Sequence, residues 1–591
     1  REQVYRALGR IAEEGFGMLG LPGELGGEND IPASILVFET LGFGDMSVLV
    51  KFGVQFGLFG GSILQLGTEH HHRTWLASVG RLELPGCYAM TEVDHGSNVR
   101  DLETEAHWDP EVEGFRIRTP HPGARKDWIG NAALHGRMAT VFARLVVEGE
   151  DHGVHAFLVP IRDEEGRTMA GVEIEDCGAK VGLHGVDNGR LAFRDVTIPR
   201  GHLLDRFGQV TKDGRYESSI SSPGRRFFTM LETLVTGRIS IAAASVSAAK
   251  TGLAIAIRYS ADRRQFGPSG KPEMPILGYL SQQRLLLPRL AATYGLHFAV
   301  RQLVERMGAR SSHEDDPGIE TLAAGLKVLA SRNAQETLQA CREACGGRGY
   351  LAENRLGTLR DDTDVFTTFE GANVVLLQLV ARSLLSEYRD QMGELDLRGI
   401  IRLVSERAGA EVQRRNPIRS RRTGEEHLRD PETHREAFRF REQRLLSSVA
   451  RRLKHRIDGE MDSFEALNEC QDHVVSLGRA HMEAEVLDAF LAGAADAPDE
   501  DVRLVLESLA ALWALERLEA DRAWFLEAGW MEPPQSRALR GLVNRLCGEL
   551  ADQAVPLVDA FGIPDSVLRA PAAFGSGRPG RTREAGPGNG G

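Results

Sequence analysis

The sequence predicts an α+β multidomain protein: an N-terminal α-helical domain, a central β-barrel or sandwich domain, an α-helical bundle and an additional C-terminal α-helical domain. Three observations predict it. The chain, at 591 residues, exceeds the roughly 100–200 residues of one ordinary domain. Apolar residues recur at helical spacing toward both ends. Between them lie short β-rich runs parted by Gly, Asp, Pro and Asn.

The opening EQVYRALGRIAEEGFGMLG carries a helical period that GLPGELGG interrupts. Gly then breaks ASILVFETLGFG and SILQLGTEHHHRTWLASV into helical hairpins, so residues 1–84 read as a small all-α domain. Residues 85–200 contain GFRIRT, MATVFARLVVEG, HAFLVPI, GVEIED and GRLAFRDVTI, the texture of a β domain. Long helical stretches return over 223–390 as a bundle, in which Pro288 is expected to kink or end a helix. Helices continue over 397–571, where APDED supplies a start signal before VRLVLESLAALWALERL. The Gly/Pro/Arg-rich residues 572–591 are expected to be a flexible tail.

A formal net charge of -13 gives no general attraction to phosphate backbones or anionic membranes, so nucleic acid is not an expected partner. The Arg-rich stretch 396–456 interleaves Glu and Asp and reads as a solvated linker and helix surface. Six cysteines without a CxxC read as reduced intracellular thiols, and Cys341 and Cys345, four apart, as core packing. No uninterrupted apolar run reaches the ~20 residues of a membrane span, so stable insertion is not expected. The chain opens on Arg1, so its natural start is expected to lie upstream; with no Ser-Lys-Leu ending, a cytoplasmic location is expected.

Two strings match GxGxxG, Gly15 to Gly20 and Gly575 to Gly580, but neither follows a strand and opens a helix as a dinucleotide site requires. His70, His71 and His72 point about 100° apart on a helix, which suits a surface better than a metal, and no metal site is expected. CYAMTEVDHGSN, residues 87–98, is a polar loop able to present donors to a cofactor or anion, or an ordinary turn. KDWIGNAALHG sets Trp128 beside a Gly-containing turn, suiting a flat ligand or a strand end. The sharpest signal is DTDVFTTFEGANVVLLQLVA. Glu370 sits between Phe369 and Gly371 at the start of an apolar helix. Burial there would raise its pKa and make it a base, whereas the helix dipole would lower it.

These motifs, with GFGMLGLPGELGG, KVGLHGVDNGRLAFRDVTIPRGHLL, LVTGRISIA, YSADRRQFGPSGKPEMPIL, ACGGRGY and LVDAFGIPDSVLRAP, keep their order along nearly the whole chain up to Pro571. In this the chain resembles the acyl-CoA oxidases, of bacterial type, the large relatives of acyl-CoA dehydrogenases. The resemblance implies an FAD-dependent enzyme that takes acyl-CoA to trans-2-enoyl-CoA in fatty-acid β-oxidation, passes electrons to oxygen and works as a homodimer with flavin sites at the subunit interface. An acyl-CoA dehydrogenase passing electrons to a flavoprotein, or a specialised biosynthetic acyl-thioester desaturase, are the alternatives.

By the same resemblance Glu370 is the catalytic base. Thr91, Gly130, Arg263, Gln265, Phe266, Gly346 and Gly347 are flavin contacts, those from Arg263 onward reaching across the interface, and Arg238 and Gly371 contact substrate. Some positions depart from the family pattern: Ile129 and Asn131 flank the second flavin turn, and Ala372 follows the Glu-Gly pair.

Overall fold

The computed structural model describes residues 1–231, 233–309, 317–390 and 422–575. The expected start of the C-terminal domain at 397, most of the expected tail and the string Gly575 to Gly580 beyond its first residue lie outside them. The chain forms two compact units: 1–244, 300–328 and 364–380 in the first, and 245–299, 329–363 and 381–591 in the second.

The first unit begins with helices whose starts are written in the sequence. Asp30 caps Ile31–Leu41 by accepting the Ala33 amide at 2.8 Å, and Asp45 caps the next helix through Ser47 and Val48. Gly does not break that second helix as expected. It runs Met46–Leu66, with a wide π turn over Gly53–Phe59. Gly53 is there because a Cβ would meet the Phe38 ring at 2.8 Å. This helix and the stretch Pro223–Asp262 are long and apolar enough to cross a membrane, but 56% and 100% of their most apolar windows are buried, as in core helices of a folded protein.

The predicted β runs form strands. We number them β1 Gly86–Ala89, β2 Glu105–Asp109, β3 Gly114–Arg118, β4 Lys126–Ile129, β5 Met138–Val147, β6 Glu150–Pro160, β7 Val172–Asp176, β8 Gly189–Phe193 and β9 Val196–Pro199. β5 is the spine: β6 pairs with one edge in antiparallel fashion, while β1 and β2 share the other edge, both parallel to it. β3 and β9 extend this six-stranded sheet from β2, and β4, β8 and β7 make a second sheet of three. Side chains of both sheets, among them Phe115, Val141, Phe157, Leu191 and Phe193, share one core, as a sandwich requires. β5 is buried on both faces, which is why it reads as a largely apolar run, MATVFARLVV, broken only by Thr140 and Arg144.

Two expectations are corrected, at His71 and Arg441. His71 is 1% exposed, not on the surface: its Nδ1 accepts from the Thr68 amide at 3.1 Å and its Nε2 donates to the Leu203 carbonyl at 2.8 Å, so burial leaves no ring nitrogen unpaired. Pro288, expected to kink or end a helix, lies inside one that runs Leu280–Ala309, where Leu286, Leu287, Leu290 and Ala291 pack the flanking turns. Arg441, in the Arg-rich stretch, is buried, where it donates to Glu483 and, at 2.6 Å, to Asp521.

The second unit is helical. Its later part contains Pro431–Asp458, Gln471–Ala495, Glu500–Ala520 and Pro533–Ala551. Asp499 of APDED caps the third by accepting the Val502 amide at 2.9 Å. All six cysteines are free thiols.

Candidate active site

In the first unit three helices bring their ends or faces to Glu370. Glu370 and Gly371 form the turn before the Asn373–Asp390 helix with φ of +53° and +98°. Left-handed backbone costs a side-chain-bearing residue about 1–2 kcal/mol, so the turn must be held by its surroundings. Lys327, on the Pro317–Ala344 helix, does this: its buried Nζ donates to the Gly371 carbonyl at 2.7 Å and to Asn373 Oδ1 at 3.0 Å. Leu376 packs beneath Gly371, where a Cβ would meet it at 2.9 Å.

The Glu370 side chain turns toward the Thr233–Asp262 helix. A Cβ at Gly237 would meet Oε2 at 2.8 Å, so the carboxylate occupies space that only glycine leaves open. The residue as a whole is half-buried, but Oε2 is buried and has no hydrogen-bond partner among the described residues. Burial pushes the carboxyl up to about 7, against the opposing pull of Arg238 and Lys327. Of the two opposed effects weighed from the sequence, burial is the one that moves this carboxyl away from its ordinary value. Arg238 is itself buried, with Nη1 3.5 Å from Glu320 Oε1 and Nε without a partner among the described residues. Burial lowers Lys327 to about 7, with Glu370 pulling it upward.

A second cluster in the same unit joins the ends of β1 and β4. The Asp127 amide donates to the Thr91 carbonyl at 3.1 Å, and next to Thr91 the fully buried Glu92 meets the fully buried Lys126 at 2.9 Å. Glu92 Oε1 also accepts from Thr104 Oγ1 at 2.6 Å and the Thr104 amide at 2.9 Å, while Oε2 accepts the Glu103 amide. Burial would raise this carboxyl, but Lys126 and these donors hold it below its ordinary value; burial lowers Lys126 to about 8. Trp128 is 60% exposed with a φ of +65°. Gly130 lies against Val54, where a Cβ would come within 2.9 Å. The departures at 129 and 131 have packing reasons: Ile129 is in the core, and Asn131 Nδ2 donates to the Gly86 carbonyl at 2.9 Å.

The second unit carries Arg263, Gln265, Phe266, Gly346 and Gly347. Gln265 and Phe266 lie in a loop closed by amide bonds from Gln265 to the Met274 carbonyl and from Met274 to the Phe266 carbonyl. Phe266 is 77% exposed at a φ of +55°. Gly346, at φ +54°, and Gly347 are exposed, with open space where a Cβ would project. The structure thus gathers Glu370, Gly371 and Arg238 in one place and sets Thr91 just beyond β1 and Gly130 just beyond β4.

Sequence reasoning missed Lys327, Gly237 and the Glu92–Lys126 pair. Lys327 did leave a signal: it is the only charged residue in the apolar run LAAGLKVLA.

Helices, a middle β sandwich and further helices, with a buried acid on a left-handed turn, define the acyl-CoA dehydrogenase and oxidase class. Residues 1–83 match the acyl-CoA dehydrogenase N-terminal domain and 87–196 its middle domain. Residues 231–385 match the acyl-CoA oxidase C-alpha1 domain and 430–578 the acyl-CoA oxidase family. Peroxisomal acyl-coenzyme A oxidase 2 of Arabidopsis thaliana is 44% identical over 551 residues, 91% of this chain and 79% of that protein. Acyl-CoA oxidase 1 of Yarrowia lipolytica superposes with a TM-score of 0.84 at 29% identity, covering 97% of this chain and 83% of that one. Acyl-CoA oxidase-1 of Caenorhabditis elegans, solved with FAD and ATP, gives 0.77 at 25% identity, covering 91% and 79%. The chain belongs to the acyl-CoA oxidase family. It is an oxidoreductase acting on a CH–CH group with oxygen as acceptor.

The cytoplasmic expectation is corrected by the same comparison. The Arabidopsis relative and others are named peroxisomal proteins, which points away from the cytoplasm. That expectation leaned on the ends of the chain, and a receptor-read address is a short peptide that composition does not register.

Proposed function

We propose that the chain converts fatty acyl-CoA to trans-2-enoyl-CoA in β-oxidation, with FAD as cofactor, release of hydrogen peroxide and Glu370 as the catalytic base. One observation carries this reading: Glu370 offers a buried, unpartnered carboxylate oxygen on a strained turn, with its pKa moved to about 7. A base poised near the working pH is the efficient choice for abstracting a weakly acidic α-proton. The missing hydrogen-bond partner leaves Oε2 free to take that proton.

The protein's own groups divide the remaining work. Glu370 holds the abstracted proton at Oε2 in a pocket that Gly237 keeps open. Arg238 and Gly371 contact the thioester substrate. Backbone amides at the Glu370–Gly371 turn would serve as donors to the thioester carbonyl, where developing negative charge needs them. Bound FAD would accept hydride from the β carbon and pass the electrons to oxygen.

Thr91 and Gly130 would hold the FAD from one protomer. Arg263, Gln265, Phe266, Gly346 and Gly347 reach it from the second protomer of a homodimer, a role supported by the exposure of Phe266 and the open space over Gly346 and Gly347. The exposed Trp128 beside Gly130 suits a flat ring system.

Purified protein given a chain-length series of acyl-CoA thioesters under air should release peroxide stoichiometrically. Glu370→Gln should be folded, yellow and inactive. Turnover only with an added electron acceptor would overturn the oxygen assignment, and substantial activity in Glu370→Gln would remove that residue from its role.

A further inference from the structure

A lysine in the middle of an apolar helix face needs a reason. Lys327 is flanked by Ala323, Ala324, Leu326, Val328 and Ala330, each at most 5% exposed, and is itself fully buried. Removing an ammonium from water is expensive unless hydrogen bonds or charges compensate. Both compensations come from the Glu370 turn. Nζ donates to the Gly371 carbonyl and to Asn373 Oδ1, bracketing the left-handed pair on its C-terminal side. The nearby carboxylate supplies the opposite charge, since each group shifts the other electrostatically. The charged groups facing Glu370 are Arg238, from the Thr233–Asp262 helix, and Lys327, from the Pro317–Ala344 helix; Arg238 in turn faces Glu320.

We propose that Lys327 is the positioning residue of the catalytic base: its ammonium pins the Glu370–Gly371 turn through the Gly371 carbonyl and Asn373, and its charge keeps the base ionisable in a buried pocket. The proposal rests on the reading of Glu370 as base. Arg238 is placed differently: its Nη1 lies 3.5 Å from Glu320 Oε1, whereas the Gly371 carbonyl takes its hydrogen bond from Lys327. Without Lys327, the Gly371 carbonyl loses a buried donor, the strained turn loses a restraint, and Glu370 loses one of two cations that favour its charged form.

Three variants of the holoenzyme separate charge from hydrogen bonding: Lys327→Met removes both, Lys327→Gln keeps a donor without charge, and Lys327→Arg keeps both. Two readouts are needed. One is the pH profile of anaerobic flavin reduction by acyl-CoA. The other, independent of turnover, is the pH midpoint of the protonated-carboxyl stretch in difference infrared spectra, assigned by its loss in Glu370→Gln.

Lys327→Met should move both midpoints upward by about one pH unit or more, the sign expected when a cation leaves an acid. It should also lower kcat about tenfold or more with a smaller change in KM. Lys327→Gln should share the midpoint shift with a smaller fall in kcat, and Lys327→Arg should return both toward the parent.

Unmoved midpoints in Lys327→Met, or an equal loss in all three variants, would overturn the proposal. If Lys327→Met does not fold, the contrast between Gln and Arg decides in the same way. If Glu370→Gln still turns over while the infrared midpoint shifts, the base assignment fails and the Lys327–Glu370 coupling stands.

Discussion

The carboxylate of Glu370 rests over Gly237, where a single added methyl group would come within 2.8 Å of Oε2 and 3.1 Å of Cδ. A helix interior ordinarily prefers Ala over Gly by about 1 kcal/mol. The glycine therefore runs against helix propensity in favour of the site. Gly237→Ala should leave thermal stability unchanged or slightly raised while lowering kcat about tenfold or more, because the base must move off its line to the α-proton. Unchanged kcat, measured with the melting temperature, would separate Gly237 from the site.

The pH dependence follows from the same burial. Glu370 has an ordinary pKa of 4.5 that burial raises to about 7, and only its anionic form can accept a proton. The rate of flavin reduction under anaerobic conditions should climb as pH rises toward about 7 and level off above it. A profile already flat from about pH 5 would mean that the acid ionises at its ordinary value and that burial does not govern the site.

The acid itself was legible in the sequence because its signal is local: Phe369, Glu370 and Gly371 stand together before an apolar helix. The β domain was legible for a similar reason, since its strands read as short β-rich runs parted by turn residues. Lys327 was harder to place, because its partner Gly371 is 44 residues away and the pair exists only once two helices have packed. Glu92 gave no sign at all. Its loop has the composition of an ordinary turn, and nothing in TEVDHGSN says that the first acid is buried against Lys126 while Asp94 is exposed. Gly53, where a Cβ would meet the Phe38 ring, sits inside a continuous helix, and a glycine that permits close packing looks the same in sequence as one that ends a helix.

The Glu92–Lys126 pair should hold the Thr91 loop. Both side chains are fully buried, and Lys126 Nζ also donates to the carbonyls of Met90 at 3.0 Å and Phe142 at 2.7 Å. Removing one charge of such a pair strands the other, at about 3–5 kcal/mol. Lys126→Met should therefore lower stability steeply and reduce flavin content, whereas Glu92→Gln combined with Lys126→Met should recover part of both. Chemical denaturation and the visible flavin absorbance measure the two effects; a double variant no better than Lys126→Met would show that packing around Lys126, not the stranded Glu92 charge, dominates.

His155 sets an acid limit on the first unit. Its ring is 1% exposed on β6, with Nδ1 donating to the Gly153 carbonyl at 3.0 Å and Nε2 accepting from the Tyr216 hydroxyl at 3.0 Å. That arrangement suits the neutral imidazole, with its proton on Nδ1. Burial lowers its pKa from 6.5 to about 3, with Arg226 and His152 adding to the effect against the Gly153 hydrogen bond. The unfolded chain therefore binds a proton below 6.5 that the fold refuses until about 3, so stability is complete above 6.5 and falls as pH drops across that window. By this linkage the loss from His155 alone is about 2 kcal/mol at pH 5. His155→Gln, which can keep both hydrogen bonds but cannot protonate, should lose stability at pH 7 through imperfect packing yet show a shallower decline between pH 6.5 and pH 4. Denaturation midpoints of the two proteins at each pH measure this directly, and parallel declines would place the acid sensitivity elsewhere.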